Sequence, residues 1–143
     1  MADSGLPDGC SMSFDEAPTP ELRASIARQI NDFHSRTIPF QSQRFGFLVR
    51  DNAASLLAGL IGSLSWEWMF IEAVWVSDDL RGKGVGRRLM HEAQAHALAS
   101  GCHSAWLDTF QAREFYEAMG YAVFGELDSY PRDQSRWFMR RRL

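Results

Sequence analysis

Apolar positions along this chain change their period several times, and each change marks a new element. Leu22, Ile26, Ile30 and Phe33 recur three or four residues apart, the spacing that lines up one face of a helix. Thr19 then Pro20 supplies an N-cap and a first helical position, and the helix should stop before Pro39. Phe45–Arg50, Leu56–Leu64 and Trp68–Val76 read as three successive strands, separated by the turn residues Asp51-Asn52 and by short connections. From Val85 the apolar residues Val85, Leu89, Ala93 and Ala97 repeat every four until Gly101, which predicts a second, longer-faced helix. Ser104–Leu107 predicts a short strand, Gln111–Met119 a short helix ended by Gly120, and Tyr121–Phe124 and Arg136–Arg140 two further strands. The first 12 residues, small and polar with Gly5, Pro7 and Gly9, read as a loose terminus; residues 13–143 read as one domain without internal repeats.

Composition sets limits on this picture. With 143 residues, 45% hydrophobic and 23% charged, the chain is long enough for a continuous core without disulfides or structural metal. Cys10 and Cys102 read as two reduced thiols, which predicts a cytoplasmic setting. No run approaches the ~18 apolar residues that span a bilayer, and Met1–Cys10 lacks the cationic and apolar regions of a signal peptide. A net charge of -3 argues against nucleic acid as a partner, and Arg140, Arg141 and Arg142 are expected to be a solvated strand end. Neither nucleic acid nor membrane is therefore expected as a partner.

Candidate chemistry concentrates at Arg81-Gly82-Lys83-Gly84-Val85-Gly86, which joins the third strand to the long helix. The first N–H groups of a helix have no internal partners, and glycines let the backbone approach phosphate oxygens closely. With Arg81, Lys83, Arg87 and Arg88 nearby, the guest expected is a pyrophosphate. A P-loop would need Ser or Thr after Gly-Lys, and Gly84 stands there instead; the dinucleotide fingerprint fails because its third glycine comes one residue early. What remains is R-x-x-G-x-G, or a glycine-rich turn that merely begins a helix.

The surroundings decide between these. Val74-Trp75-Val76-Ser77-Asp78-Asp79-Leu80 followed by Arg81–Leu89 resembles the signature of the GCN5-related N-acetyltransferases (GNAT), and Phe115-Tyr116-Glu117-Ala118-Met119-Gly120-Tyr121 resembles that family's later motif. Leu107–Ala112 and Gly125–Pro131 are similar to a compact bacterial branch. The resemblance implies an α/β fold: a mixed, mostly antiparallel sheet of six or seven strands with helices on both faces. The sheet is splayed between its fourth and fifth strands, here the one ending at Val76 and the one ending near Leu107. It implies acetyl-CoA as cosubstrate and no metal, with pantetheine on the backbone of Val74, Trp75 and Val76. The pyrophosphate falls on Arg81, Gly82, Lys83, Gly84, Val85, Gly86 and Arg87. The expected reaction is direct acetyl transfer, in a ternary complex, to the amine of a small molecule. A protein N-terminus or lysine as acceptor, or a non-catalytic acyl-CoA sensor, are the alternatives. Homodimers are common in the family.

Two residues are assigned catalytic roles. Glu72 interrupts an apolar strand four residues before Val76, on the same face if the alternation is unbroken. It is the candidate base, with a surface or arginine-paired carboxylate as the competing reading and a bulge as the feature that would turn it away. Tyr116, one helical turn before Gly120, resembles the family's proton donor to the departing thiolate, with a packed core tyrosine as the competing reading. Asp108 with Gln111 fits a capping box for the short helix. His91, His96 and His103 read as surface residues, since their spacings do not put two ligands on one helical face. His34–Arg44 and an aromatic wall of Trp66, Trp68, Tyr130 and Trp137 are expected on the acceptor side, where an aromatic face suits a cation.

Overall fold

A computed structural model describes residues 5–143. The chain forms two compact units, the first ending at Phe40 and the second running Gln41–Leu143. In the first, α1 spans Pro20–His34, and the Thr19 Oγ1 accepts a hydrogen bond from the Leu22 N–H at 3.1 Å. The predicted cap and proline thus start this helix.

The second unit contains β1 (Ser42–Arg50), β2 (Leu56–Ser65), β3 (Trp68–Val76), α2 (Val85–Ala99), β4 (Ser104–Thr109), α3 (Arg113–Glu117), β5 (Ala122–Asp128) and β6 (Ser135–Arg142). Its six strands form one sheet in the order β1-β2-β3-β4-β6-β5. Every pairing is antiparallel except β3 with β4. That parallel pair is joined through α2, as a crossover between parallel strands requires. With six strands present, the two that part are the third and fourth in chain order.

The apolar stripe of α2 faces the sheet: Leu89, Met90, Ala93 and Ala97 are buried with Ala58, Leu60, Met69, Ile71, Leu107 and Met139. Both ends of this packing are set by local rules. Gly101 at φ 88° lets the Cys102 N–H reach back to the Ala97 carbonyl at 2.9 Å, and Gly120 at φ 87° lets the Tyr121 N–H reach the Tyr116 carbonyl at 3.1 Å. Cys102 is buried, Cys10 is exposed, and neither is bridged.

Several elements differ from the sequence reading. β5 runs to Asp128, four residues past the expected Phe124, while β6 begins at Ser135, one before the expected Arg136, and the ladder continues through Glu126↔Trp137, Leu127↔Arg136 and Asp128↔Ser135. Each of these pairs includes a polar residue, Glu126, Arg136, Asp128 or Ser135, which breaks up the apolar signal along the strands. α3 begins at Arg113 rather than Gln111, because the Thr109 hydroxyl takes the Ala112 N–H at 3.1 Å and closes a turn first. The expected Asp108–Gln111 capping box does not form. Nor is the basic end uniformly solvated: Arg141 lies partly buried and donates to the Met119 carbonyl at 2.6 Å, closing the end of α3.

Candidate active site

β3 and β4 pair only at Trp68↔Ser104, Met69↔Ala105 and Phe70↔Trp106. Beyond Phe70 and Trp106, whose rings stack at 4.2 Å, the strands part. The edge of β3 from Ile71 to Val76 that faces β4 has no strand partner, while its other edge remains paired with β2. A cavity of ≈ 290 Å³ occupies the gap, lined among others by Glu72, Val74, Asp108, Phe110, Tyr116 and Arg136. Unpaired backbone in a cavity wants hydrogen bonds from a guest.

The glycine loop lies at the far end of β3. Gly82 and Gly84 sit at φ 73° and 80°, and a Cβ at either would meet no atom within 4 Å. These positions are therefore left-handed backbone facing open space, which favours glycine and admits a close ligand. Gly84 is the N-cap of α2 and supplies no side-chain bond, and the first helical bond is Arg88 N–H to the Gly84 carbonyl at 3.0 Å. The N–H groups at Val85, Gly86 and Arg87 are thus left for an anion. Gly86 is packed in ordinary contact with Phe115 and Val76, tying the loop to α3 and β3. Lys83 and Arg87 are exposed. Arg81 turns back instead: its Nε donates to the Val76 carbonyl at 3.2 Å and its Nη1 lies 3.2 Å from Asp78. It braces the loop against the end of β3. These features fit the diphosphate and pantetheine of acetyl-CoA. A larger cavity of ≈ 460 Å³ also borders Lys83 and Gly84, but it lies against β1 and is walled by Phe47, Val49, Val85 and Leu89. It contains neither candidate catalytic residue.

Tyr116 reaches the gap from the side of the sheet covered by α2. It is buried in the core with Leu89 and Leu107, its ring 6.0 Å from Tyr121 and 5.0 Å from Phe115. Burial first, and Tyr121 second, push its pKa up to about 12. The phenol therefore keeps its proton through the physiological range and has it available to donate. Its hydroxyl has no hydrogen-bond partner among the described residues. Tyr121 behind it is also pushed up by burial, against the opposing influences of the Gln94 hydrogen bond at 3.3 Å and of Arg141.

Glu72 enters from the other side. The β2–β3 register jumps from Ile61↔Ala73 to Gly62↔Ile71, so Glu72 is the extra residue of a β-bulge. Met69, Ile71, Val74 and Val76 pack toward the core, whereas Glu72 falls on the face of Phe70 and Trp75. The expectation that Glu72 shares the face of Val76 is overturned by this single inserted residue. The bulge leaves Glu72 exposed and lining the gap. Gly62 makes room for it: a Cβ there would overlap the Phe70 carbonyl oxygen and stand 3.0 Å from Phe45 Cζ.

Asp108, two residues beyond Trp106, shares that face. Its Oδ1 lies 2.7 Å from Arg136 Nη1, with the two side chains 27% and 22% exposed. Arg136 has no signal in the sequence; only the antiparallel β4–β6 register, with Thr109 opposite Trp137, brings it to the gap. The aromatic wall is redistributed. Trp68 pairs with Ser104 at the closed end of β3 and β4, its ring 5.7 Å from His103, and Trp66 belongs to the turn before it. Tyr130 does reach the open end, 4.2 Å from the Arg136 guanidinium, and Trp137 carries Arg113 at 4.3 Å. His96 is no surface residue either: its ring lies 5.1 Å from Phe45 and 6.1 Å from Phe47, with Nε2 buried. Among the described residues no group of three His, Cys, Asp or Glu side chains could hold a metal ion, and no helix is long and apolar enough to cross a membrane.

Comparison with known proteins agrees with this fold. The profile of the acetyltransferase (GNAT) family matches residues 11–121. A blasticidin-S acetyltransferase from Streptomyces morookaense is 37% identical over 79 residues, covering 53% of this chain and 58% of that protein, so the match spans a little over half of the relative's length. The crystal structure of an acetyltransferase from Bacillus cereus superimposes with a TM-score of 0.80 at 26% identity, over 92% of this chain and 98% of that one. An acetyltransferase from Bacillus anthracis in complex with acetyl coenzyme A shares the fold, with a TM-score of 0.61 at 20% identity over 70% and 62% of the two chains.

Proposed function

The chain belongs to the acetyltransferase (GNAT) family, and from that premise we propose that it moves the acetyl group of acetyl-CoA directly to the amine of a small molecule, with both reactants held in the gap between β3 and β4. The observation that carries this reading is that the gap opens to two chemically different sides. A neutral phenol, Tyr116, comes from the side of α2 and α3, and a carboxylate, Glu72, from the other.

Acetyl-CoA would bring an activated thioester; the chain supplies binding, orientation and proton handling. Val74, Trp75 and Val76 offer the free backbone edge for pantetheine, and the amides from Gly82 to Arg87 hold the diphosphate, with Lys83 adding charge. An amine with a lysine-like pKa of ~10.4 is neutral in only about one molecule in a few thousand at pH 7, a cost of about 4 to 5 kcal/mol. Glu72 takes that proton, directly or through one water, as the amine attacks. Tyr116 donates to the sulfur as negative charge builds there. An N–H on the free edge of β3 donates to the carbonyl oxygen, where a preorganised donor contributes most. A small-molecule acceptor is supported by the name of the blasticidin-S relative.

The test combines calorimetry of acetyl-CoA binding with thiol release over a panel of amines. Binding followed by amine-dependent thiol release is the expected result. Binding without turnover for any amine would leave a non-catalytic acyl-CoA sensor, and absence of binding would remove the assignment altogether.

A further inference from the structure

Glu72 and Tyr116 account for the chemistry of the gap but leave two of its charged groups, Asp108 and Arg136, unused. Arg81–Asp78, Arg88–Glu92 and Arg113–Glu117 are ion pairs between residues three or four apart on exposed surface. Arg136–Asp108 joins residues 28 positions apart, and both line the cavity. We infer that this pair forms a second subsite of the acceptor pocket, selecting amines that also carry a carboxylate. The inference rests on the transferase reading above and names its substrate class.

Arg136 is held for recognition more than for stability. Its Nη1 is engaged by Asp108 at 2.7 Å, its Nε is buried with no partner, and its Nη2 makes no hydrogen bond among the described residues. A desolvated donor without a partner is costly, and a half-buried ion pair is a poor source of stability compared with apolar packing. The guanidinium packs against Tyr130 at 4.2 Å and Phe110 at 5.6 Å, which fixes its plane at the open end of the gap. Nε is too buried to meet a ligand, so Nη2 and the N–H of Nη1 that Asp108 does not take form the planar, always-charged fork that matches a carboxylate's two oxygens. Charge also chooses among anions. Glu72 and Asp108 line the same cavity, so a phosphate dianion would meet two carboxylates, whereas a singly charged carboxylate beside an ammonium group meets less repulsion.

Matched acceptors test this: short ω-amino acids, their carboxamides, and an aminoalkyl phosphate of equal length, each assayed by thiol release. The native protein should show kcat/KM at least tenfold higher for the acid than for the amide, carried mainly by KM, and the phosphate should be the poorest. In Arg136→Gln the ratio of acid to amide should fall toward one. Arg136→Lys, which keeps the charge and loses the fork, should retain an intermediate preference. Asp108→Asn combined with Arg136→Gln removes the uncompensated carboxylate if the single variant folds poorly, and should show the same collapsed ratio. Equal use of acid and amide by the native protein, a preference for the phosphate, or a preference that survives Arg136→Gln overturns the inference while leaving the transferase reading intact. Absence of turnover with every amine overturns the transferase reading itself, and this inference with it.

Discussion

A Tyr116→Phe substitution keeps the ring against Tyr121 and Phe115 and deletes only the hydroxyl. With the phenol pushed up to about 12 by burial, and a cysteine-like thiol at ~8.5, complete transfer of the proton to a departing thiolate is uphill by about 3.5 pKa units, roughly 5 kcal/mol. Tyr116 therefore acts as a hydrogen-bond donor to developing charge more than as a full acid. A hydrogen bond to a charged group contributes about 1.5–3 kcal/mol, so kcat should fall about 10- to 150-fold. Since the bond strengthens only as charge builds on sulfur, acetyl-CoA affinity should be nearly unchanged. Steady-state thiol release between pH 6 and 9 measures the first quantity and calorimetry the second. A kcat equal to that of the native protein, or a parallel loss of rate and affinity, would refute the reasoning.

Further expectations follow from the same geometry. Glu72→Gln, nearly isosteric, should lower kcat by about 10²- to 10⁴-fold while thermal stability and acetyl-CoA binding persist; retained activity would transfer the base role elsewhere. Gly84→Val places a β-branched residue at φ 80° and a side chain where the diphosphate must approach, so calorimetry should show acetyl-CoA affinity weakened about tenfold or more. Gly62→Ala forces a methyl group against the Phe70 carbonyl and the Phe45 ring, an overpacking cost of about 1–3 kcal/mol. At roughly 4–8 °C per kcal/mol for a domain near 100 residues, a clear fall in Tm is expected, together with lost activity as the bulge that aims Glu72 is disturbed. Alkali should also destabilise the protein. Because the folded state raises Tyr116 from the ordinary 10 to about 12, its stabilising contribution is complete below pH 10, falls as pH rises and is gone above pH 12. The loss is on the order of 3 kcal/mol. Thermal melts from pH 8 to 12 should show this limb, and Tyr116→Phe should make it shallower.

Local sequence determined the parts whose geometry depends on few neighbours. The Thr19 cap, the glycines that end α2 and α3, the left-handed turns at Gly82 and Gly84, the apolar stripe of α2 and the position of Tyr116 one turn before Gly120 all arise within about one helical turn of chain. Their physics is carried by backbone sterics and by unpaired helix-end groups. Tertiary structure decided the rest. A side chain's face alternates with every residue of a strand, so one bulge at Glu72, admitted by the missing Cβ of Gly62 on the neighbouring strand, reversed which side of the sheet the carboxylate occupies. Likewise, only the insertion of β6 between β4 and β5 brought Arg136 beside Asp108. Strand order and register are set by pairing between distant segments, and neither leaves a trace in the residues that flank them.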